Sequence, residues 1–418
     1  MRAPSRTTVV AATLAGLLGV GAGWLGTARP WQDELMVTEA GDGSGTVQLI
    51  ATEAHDEVPG GLQQWWTDGR STHLLAPTDS GFALLPQREV PGARWEAYVD
   101  TTSRVRPVDL AALPGSEDGP WVALGASSPD TADHTLRSWS GDWAGQSDPE
   151  AELPAPTASK VPAAPDPVIS GETALHSFVA VATIDGHDLG VTAWHQGSTS
   201  GVKNTTRGLA VCPDASACRW GDELEAPGIP VALVSTGTGF VLVVDGMDGV
   251  RVLFADDAGL DWQEVGKVPE GMHLARAVDT PEGALLLWRT DGDDGPDELS
   301  IQRVSTDGTV EDEVEALPLP VDTYGITSAA RVDDRWVVGA GASDGHAWAN
   351  PGYSPGRARL LRAGDEVWED VTPEAMRHRL DETVVAMATT VAGKTTFTLA
   401  SPVQRTASRW RWEPTDPS

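Results

Sequence analysis

The sequence is poor in cysteine, tyrosine, phenylalanine and basic residues. In 418 residues it contains 2 Cys, 3 Tyr and 5 Phe, and its 29 Lys and Arg are outnumbered by 61 Asp and Glu, which gives a formal net charge of -32. Nucleic-acid binders neutralise phosphates with Lys and Arg, so this balance argues against a nucleic-acid partner. The negative field instead predicts a cationic partner surface or high solubility.

The sequence also lacks the short motifs of common enzymes. It contains no Gly-x-Ser-x-Gly elbow, no phosphate-binding loop and no dinucleotide fingerprint. An acidic loop could offer oxygen ligands to Ca²⁺, but it lacks the final Glu of an EF-hand loop. Its acids are Asp291, Asp293, Asp294, Asp297 and Glu298. His187, Asp188 and His195 have a spacing that fits no zinc site. We therefore predict no catalytic residue, no cofactor and no metal site.

Residues 1–28 predict export of the chain. Two arginines precede an uncharged stretch that ends at Ala28 and is long enough to span a bilayer as a helix. The small residues Gly26 and Ala28 would permit signal-peptide cleavage, whereas the length of the stretch favours an uncleaved anchor. Both fates place the rest of the chain outside the cytoplasm. No lipobox cysteine follows, which excludes lipoprotein anchoring, and residues 29–45 are predicted to be a flexible connector.

The two cysteines agree with an oxidising compartment. Five residues separate Cys212 from Cys218, and Pro213 and Asp214 begin a turn between two apolar runs. The nearest histidine, His195, is 17 residues from Cys212, so the segment does not supply the four ligands of a zinc site. We predict a disulfide between Cys212 and Cys218 that staples the tip of a hairpin.

Glycine and proline are abundant and together make up 75 of the 418 residues. Both weaken helix interiors, which disfavours a mainly helical fold. Nine short apolar runs, rich in β-branched residues and bounded by turn residues, predict strands. These runs are 46–52, 178–184, 231–235, 240–245, 250–256, 284–290, 336–341, 383–389 and 395–401.

The predicted strands recur in a repeating unit. Turns that end the first strand of a unit begin at residues 235, 279, 331 and 389, which are 44, 52 and 58 residues apart. A period of about 40–50 residues with three or four strands predicts an all-β fold, a β-propeller. Residues 46–414 would form six or seven blades, and strand 46–52 would complete the last blade and close the ring. The Pro-rich stretch 152–167 would link two blades or, alternatively, separate two domains.

The segment from Ala255 to Trp262 resembles the Asp-box, Ser-x-Asp-x-Gly-x-Thr-Trp, of sialidase-like (BNR repeat) β-propellers. Asp257, Gly259 and Trp262 match the motif, while Ala255 and Asp261 depart from its Ser and Thr. We expect a tight turn in which the Asp accepts backbone N–H bonds, the Gly adopts a positive φ and the Trp packs between blades. Poorer copies occur at 66–72, 305–310 and 362–368. The resemblance implies the fold rather than a reaction, because the box is a structural turn in that family.

Sialidase catalysis is not implied by these residues. The family resemblance would demand an Arg-Ile-Pro segment, three arginines, an Asp acid and a Tyr–Glu pair. This sequence has no Arg-Ile-Pro, and Tyr98, Tyr324 and Tyr353 lie in no matching motif. We expect a non-catalytic extracytoplasmic propeller that binds a protein or glycan partner as a scaffold, with a sialidase-like glycosidase as the alternative. Trp410 and Trp412 would either stack on sugar rings or pack between blades.

Overall fold

The computed structural model describes strand backbones throughout the chain and most turns after residue 173. From there the described ranges are 173–198, 201–210, 220–268, 271–280, 282–290, 296–321, 326–341, 358–373, 383–389, 395–401 and 406–413, with residues 323, 325 and 376. Before residue 173 only the strands named below are described, and side chains are described only within 178–413. Residues 1–28 and both cysteines lie outside the described residues, so the export segment and the disulfide stay predictions. No helix in the described ranges is long and apolar enough to cross a membrane.

The described strands form seven antiparallel sheets, numbered I to VII in chain order. Strands β1 (Leu35–Val37) and β2 (Thr46–Ala54) come first. Sheet I contains β3 (Gln64–Thr67), β4 (Thr72–Thr78), β5 (Gly81–Gln87) and β6 (Glu96–Val99). Sheet II contains β7 (Pro107–Leu113), β8 (Pro120–Ser127), β9 (Leu136–Asp142) and β10 (Thr157–Lys160). Sheet III contains β11 (Thr173–Ile184), β12 (His187–Ser198), β13 (Gly201–Ala210) and β14 (Trp220–Glu225).

The remaining sheets follow the same order of strands. Sheet IV contains β15 (Ile229–Ser235), β16 (Phe240–Gly246), β17 (Gly249–Ala255) and β18 (Gln263–Lys267). Sheet V contains β19 (Met272–Thr280), β20 (Gly283–Thr290), β21 (Glu298–Val304) and β22 (Val310–Pro318). Sheet VI contains β23 (Ile326–Val332), β24 (Arg335–Ala340), β25 (Arg359–Ala363) and β26 (Trp368–Asp370). Sheet VII contains β27 (Thr383–Thr389), β28 (Thr395–Ser401) and β29 (Thr406–Glu413), and β2 and β1 extend it beyond β29.

The all-β prediction is confirmed, and each of the nine predicted runs is a strand. Strand β16 is buried from Phe240 to Val244 without alternation, and β20 is buried from Gly283 to Trp288. Continuous burial means that both faces of a strand are covered, because successive side chains point to opposite faces. Neighbouring sheets therefore pack on both sides of these strands, which explains why their sequences are unbroken apolar runs.

The first strands of successive sheets lie against one another. Strands β3, β7, β11, β15, β19, β23 and β27 are in contact in that order, β27 also contacts β3, and β3 lies against β19 as well. The predicted closing strand is present, because β2 pairs with β29 and Val47 lies opposite Trp412. An N-terminal strand thus completes a C-terminal sheet, and the arrangement is propeller-like.

Two predicted linkers contain strands. Strand β10 lies inside the Pro-rich stretch 152–167 and pairs with β9 as the fourth strand of sheet II. Proline is tolerated beside an edge strand, because only one side of that strand needs ladder hydrogen bonds. Strand β1 lies inside the predicted connector 29–45 and pairs with β2. The linker prediction is therefore wrong for residues 157–160, and the connector prediction is wrong for residues 35–37.

Trp410 and Trp412 are core residues rather than a sugar platform. They are 2% and 1% exposed, respectively, and pack in one cluster with Val337 and Leu360 of sheet VI. The ring of Trp410 also stacks on Phe397, with 6.4 Å between the ring centroids. Packing between sheets is confirmed for this pair, and stacking on sugars is wrong for it.

Candidate binding face

Each sheet presents its connections at two opposite ends, because successive strands run alternately up and down. One end carries the first-to-second and third-to-fourth turns, such as 236–239 and 256–262 of sheet IV. The other end carries the second-to-third turns, such as 247–248, and the connections between sheets, such as 226–228. We call these the box end and the cleft end.

The Asp-box turn lies at the box end of sheet IV, between β17 and β18. One oxygen of Asp257 accepts the backbone N–H of Gly259 at 2.6 Å, and the other accepts the N–H of Asp261 at 3.2 Å. The backbone carbonyl of Asp257 accepts the N–H of Leu260 at 3.2 Å. One carboxylate therefore satisfies two turn donors, as an Asx-type turn does.

The expected role of Gly259 is wrong in one respect, because the positive φ falls on Leu260, at 56°. A Cβ atom on Gly259 would instead lie 2.8 Å from Oδ1 of Asp257. Glycine is needed at position 259 because the Asp257 carboxylate approaches the backbone closely. Leu260, which adopts the positive φ, is held in place by its side chain, which is buried at 3% exposure.

Removing the Asp257 carboxylate is expected to destabilise the protein by about 1–2 kcal/mol, since two accepted hydrogen bonds are lost. Gly259→Ala should cost a similar amount alone but clearly less in the Asp257→Ala background, because the atom that its Cβ meets is then gone. Urea unfolding of both single variants and the double variant measures this coupling. Asp256→Ala, an exposed neighbour, is the control. Additive costs would contradict the proposed contact.

Trp262 joins the box to the preceding sheet. Its indole N–H donates to the hydroxyl of Thr206, which is fully buried on β13 of sheet III, at 3.1 Å. Trp368, the last residue of the turn 362–368, makes a similar contact, because its N–H donates to the carbonyl of Leu299 on β21 at 3.0 Å. A Trp at the start of a fourth strand thus reaches the third strand of the sheet before it.

The poorer box copies differ in position. Turn 305–310 joins β21 to β22, and Oδ1 of Asp307 accepts the hydroxyl of Ser305 at 2.6 Å and the N–H of Thr309 at 3.0 Å. These bonds, the Ser305 hydroxyl first, lower the pKa of Asp307 to about 2. Turn 362–368 also joins a third to a fourth strand, whereas 66–72 joins the first strand of sheet I to its second and therefore does not occupy a box position.

Two hydrogen bonds join neighbouring sheets on the inner side of the box end, one between sheets III and IV and one between sheets IV and V. The N–H of Thr183 on β11 donates to the carbonyl of Gly237 at 2.9 Å. The N–H of Ser235 on β15 donates to Oδ1 of Asp279 on β19 at 2.8 Å. Asp279 is half-buried, and protein surrounds most of its side chain. Burial raises its pKa to about 7 against the opposing effects of the Ser235 N–H and the Arg276 charge.

The cleft end carries an open cleft of about 710 Å³ between sheets III and IV. It is lined by residues of β13, β14, β15 and β16, by the connection 226–228 and by the β16–β17 turn. They include Asn204, Glu225, Gly228, Asp245 and Met247. The volume falls within the range of ligand sites in proteins, about 300–1,000 Å³.

Backbone contacts shape the floor of the cleft. The N–H of Ala226 donates to the carbonyl of Asn204 at 2.9 Å, and the Arg251 guanidinium donates to the carbonyl of Pro227. A Cβ atom on Gly228 would lie 2.8 Å from the carbonyl oxygen of Asp245. The connection 226–228 is therefore held against β16 by glycine and by one arginine.

Unpaired acids and one apolar side chain face solvent around the cleft. Glu225, Asp245 and Asp248 are exposed, and none of the three carboxylates has a hydrogen-bond or ion-pair partner in the described part of the chain. Met247, at the tip of the turn, is fully exposed. The arrangement combines negative charge with an apolar contact point.

The sequence did not single out Glu225 or Asp245 as site residues. The turn 245–249 was recognisable as acidic, but residues 204, 225 and 245 are separated by about twenty positions each and meet only through sheet packing. Of the acidic loop, Asp297 accepts hydrogen bonds from Arg289 and Glu298 begins β21. Asp291, Asp293 and Asp294 lie outside the described residues. His187 is exposed at the start of β12, and the side chains of Asp188 and His195 are outside the described set. The described side chains include no group of three or more metal-ligating residues.

Six arginines with described side chains are engaged within the protein. Arg289 bonds to Asp297, Arg303 to Glu313 at 2.7 Å, and Arg362 to Glu369 at 2.8 Å. Arg251 and Arg359 donate to backbone carbonyls, and Arg331 lies 4.0 Å from Asp334. These guanidinium groups therefore bridge strands and connections.

Comparison with known proteins gives weak likenesses. No protein-family model matches the chain, and no curated protein matches it. A solved structure of a puromycin hydrolase is 15% identical, with a TM-score of 0.44, and the match covers 84% of this chain and 53% of that one. The sialidase of Trypanosoma rangeli, in complex with sialic acid, is 11% identical, with a TM-score of 0.41 and coverage of 86% and 58%. The chain thus spans little more than half the length of these structures, and likenesses at this level carry no argument about activity. The resemblance to Asp-box propellers stays a prediction.

Proposed function

We propose that the protein is a seven-bladed β-propeller outside the cytoplasm, tethered by its N-terminal segment or secreted, that acts as a non-catalytic scaffold for a protein or glycan partner. The partner docks at the cleft end. Each of the seven sheets is one blade, and the seven first strands surround the central axis.

Two features support the ring. The first strands contact one another in sequence, and the contact between β27 and β3 completes the series. The pairing of β2 with β29 joins the two ends of the chain in one sheet. A ring closed in this way leaves no unpaired edge between its first and last blades.

The observation that carries the binding role is the open cleft with exposed, unpaired carboxylates and an exposed methionine. Open clefts of this size that carry a few polar groups are typical of binding sites.

A photo-crosslinking amino acid placed at position 247 of the full chain tests the role in its native envelope. We expect a discrete crosslinked partner from this position. The control position is 334, which is almost fully exposed at the box end and should give none. Equal crosslinking from both positions, or none from either, would overturn the scaffold proposal. Hydrolysis of a fluorogenic sialoside by the purified chain would replace it with the glycosidase alternative.

A further inference from the structure

The cleft favours a protein partner over a glycan partner. Glycan sites usually present an exposed aromatic ring, on which sugars stack. In the part of the chain with described side chains, the exposed large hydrophobic residues are Val231, Met247, Val321 and Val367, and none is aromatic. The cleft offers carboxylates and a flexible thioether, which suit a peptide with basic and apolar side chains.

Acids outnumber bases among the described side chains around the cleft. The carboxylates of Glu225 and Asp245 line the cleft, and Asp248 adds a third beside Met247. Among the described side chains, the guanidinium near these acids is that of Arg251, which donates to the carbonyl of Pro227. The described side chains around the cleft therefore carry an excess of negative charge, in keeping with the net charge of -32 of the whole chain.

We propose that the cleft between sheets III and IV docks an extended, basic segment of a partner protein. Lysine or arginine side chains of the segment lie against Glu225 and Asp245, and an apolar side chain packs on Met247. The inference rests on the proposed scaffold function and names the partner's chemistry. Charge complementarity of this kind chiefly sets the association rate and the choice of partner.

Fluorescence anisotropy of a labelled twelve-residue peptide of alternating lysine and leucine, titrated with the full chain, tests the proposal. The double variant Glu225→Gln with Asp245→Asn should bind this probe about tenfold more weakly, as expected for the loss of two exposed ion pairs. Met247→Ser should also weaken binding. Affinity should fall steeply with added salt, because the pairs are exposed.

The matched control removes the same charge at the other end of the molecule. Asp333→Asn with Asp334→Asn alters two exposed acids at the box end, where both residues have a positive φ that asparagine tolerates. We expect less than a twofold change in affinity. Equal weakening by both double variants would show that the probe senses only the net charge, and the proposal would fail. All the substitutions replace exposed side chains, and thermal unfolding verifies that each variant is folded.

Two further outcomes separate this inference from the scaffold proposal. If the crosslink from position 247 persists undiminished in the Glu225→Gln, Asp245→Asn background, the scaffold role stands and the basic-segment proposal fails. If the chain instead captures oligosaccharides on an array, and Met247→Ser abolishes this capture while leaving the peptide unaffected, the partner is a glycan.

Discussion

Replacing Gly283 with alanine is expected to destabilise the protein by at least about 3 kcal/mol. Gly283 is buried, has a φ of 135° and begins β20 directly after the first turn of sheet V. A Cβ atom at this position would overlap the carbonyl oxygen of Val304 and lie 3.0 Å from Cα of Ser305. Both obstacles are backbone atoms of β21 and the turn after it, so they cannot move aside without breaking the pairing between strands.

Gly237→Ala is the matched control for this substitution. Gly237 occupies the equivalent turn of sheet IV with a φ of 88°, but no atom lies within 4 Å of the position that its Cβ would take. Alanine at position 237 should lower the free energy of unfolding by only about 1 kcal/mol, because it meets no atom and suffers only from the positive φ. Urea unfolding of both variants separates the contact from the φ strain. Equal midpoints would show that β21 does not approach the turn as described.

Asp279→Asn is expected to become progressively more favourable, relative to the wild type, as the pH rises from about 4 to 8. The folded protein holds the proton of Asp279 up to a pKa of about 7, whereas an unfolded chain releases it near pH 4. Between these values the folded state binds more protons, so the contribution of Asp279 to stability is full at low pH and is lost as the pH rises. Asparagine keeps an oxygen that can accept the Ser235 N–H and has no charge to bury.

The relevant quantity is the difference in unfolding free energy between variant and wild type, measured at several pH values. This difference should change by roughly 2–4 kcal/mol between about pH 4 and pH 8. The change is somewhat smaller than a rise of the pKa from about 4 to about 7 implies, because Asp279 keeps some exposure. Glu225→Gln, which removes an exposed and unpaired carboxylate, is the control variant. Asp307, whose pKa is lowered to about 2, is present in both proteins, so its contribution cancels in this difference. A flat profile for Asp279→Asn would mean that the carboxylate is already charged in the folded state.

Local features were predictable because their causes are local. The runs 240–245 and 284–290 became β16 and β20, since unbroken β-branched and aliphatic residues suit strands buried on both faces. The turns after 235 and 279 join first to second strands as their Gly and Asp residues indicated. The pairing of strand 46–52 with the last sheet was also predictable, because that sheet lacked a fourth strand of its own.

Other features depend on contacts that the chain order hides. Gly259 was predicted to supply a positive φ, but the conformation falls on Leu260, and the glycine is required by the carboxylate of Asp257. The pair Trp410 and Trp412 has a spacing compatible with a surface platform or a core. Only the packing of sheet VI against sheet VII places both rings inside.

The sequence by itself determined the all-β class and the positions of the predicted strands, because these follow from the character and spacing of neighbouring residues. The tertiary structure decided which residues meet. One cleft is lined by Asn204, Glu225 and Asp245 because the short connection 226–228 brings sheet III next to sheet IV. Gly228 and Arg251 hold this connection in place. Asp279 has a raised pKa because burial at the junction of sheets IV and V makes its charge costly. Neither effect has a signature in local sequence, because each arises from residues many positions apart.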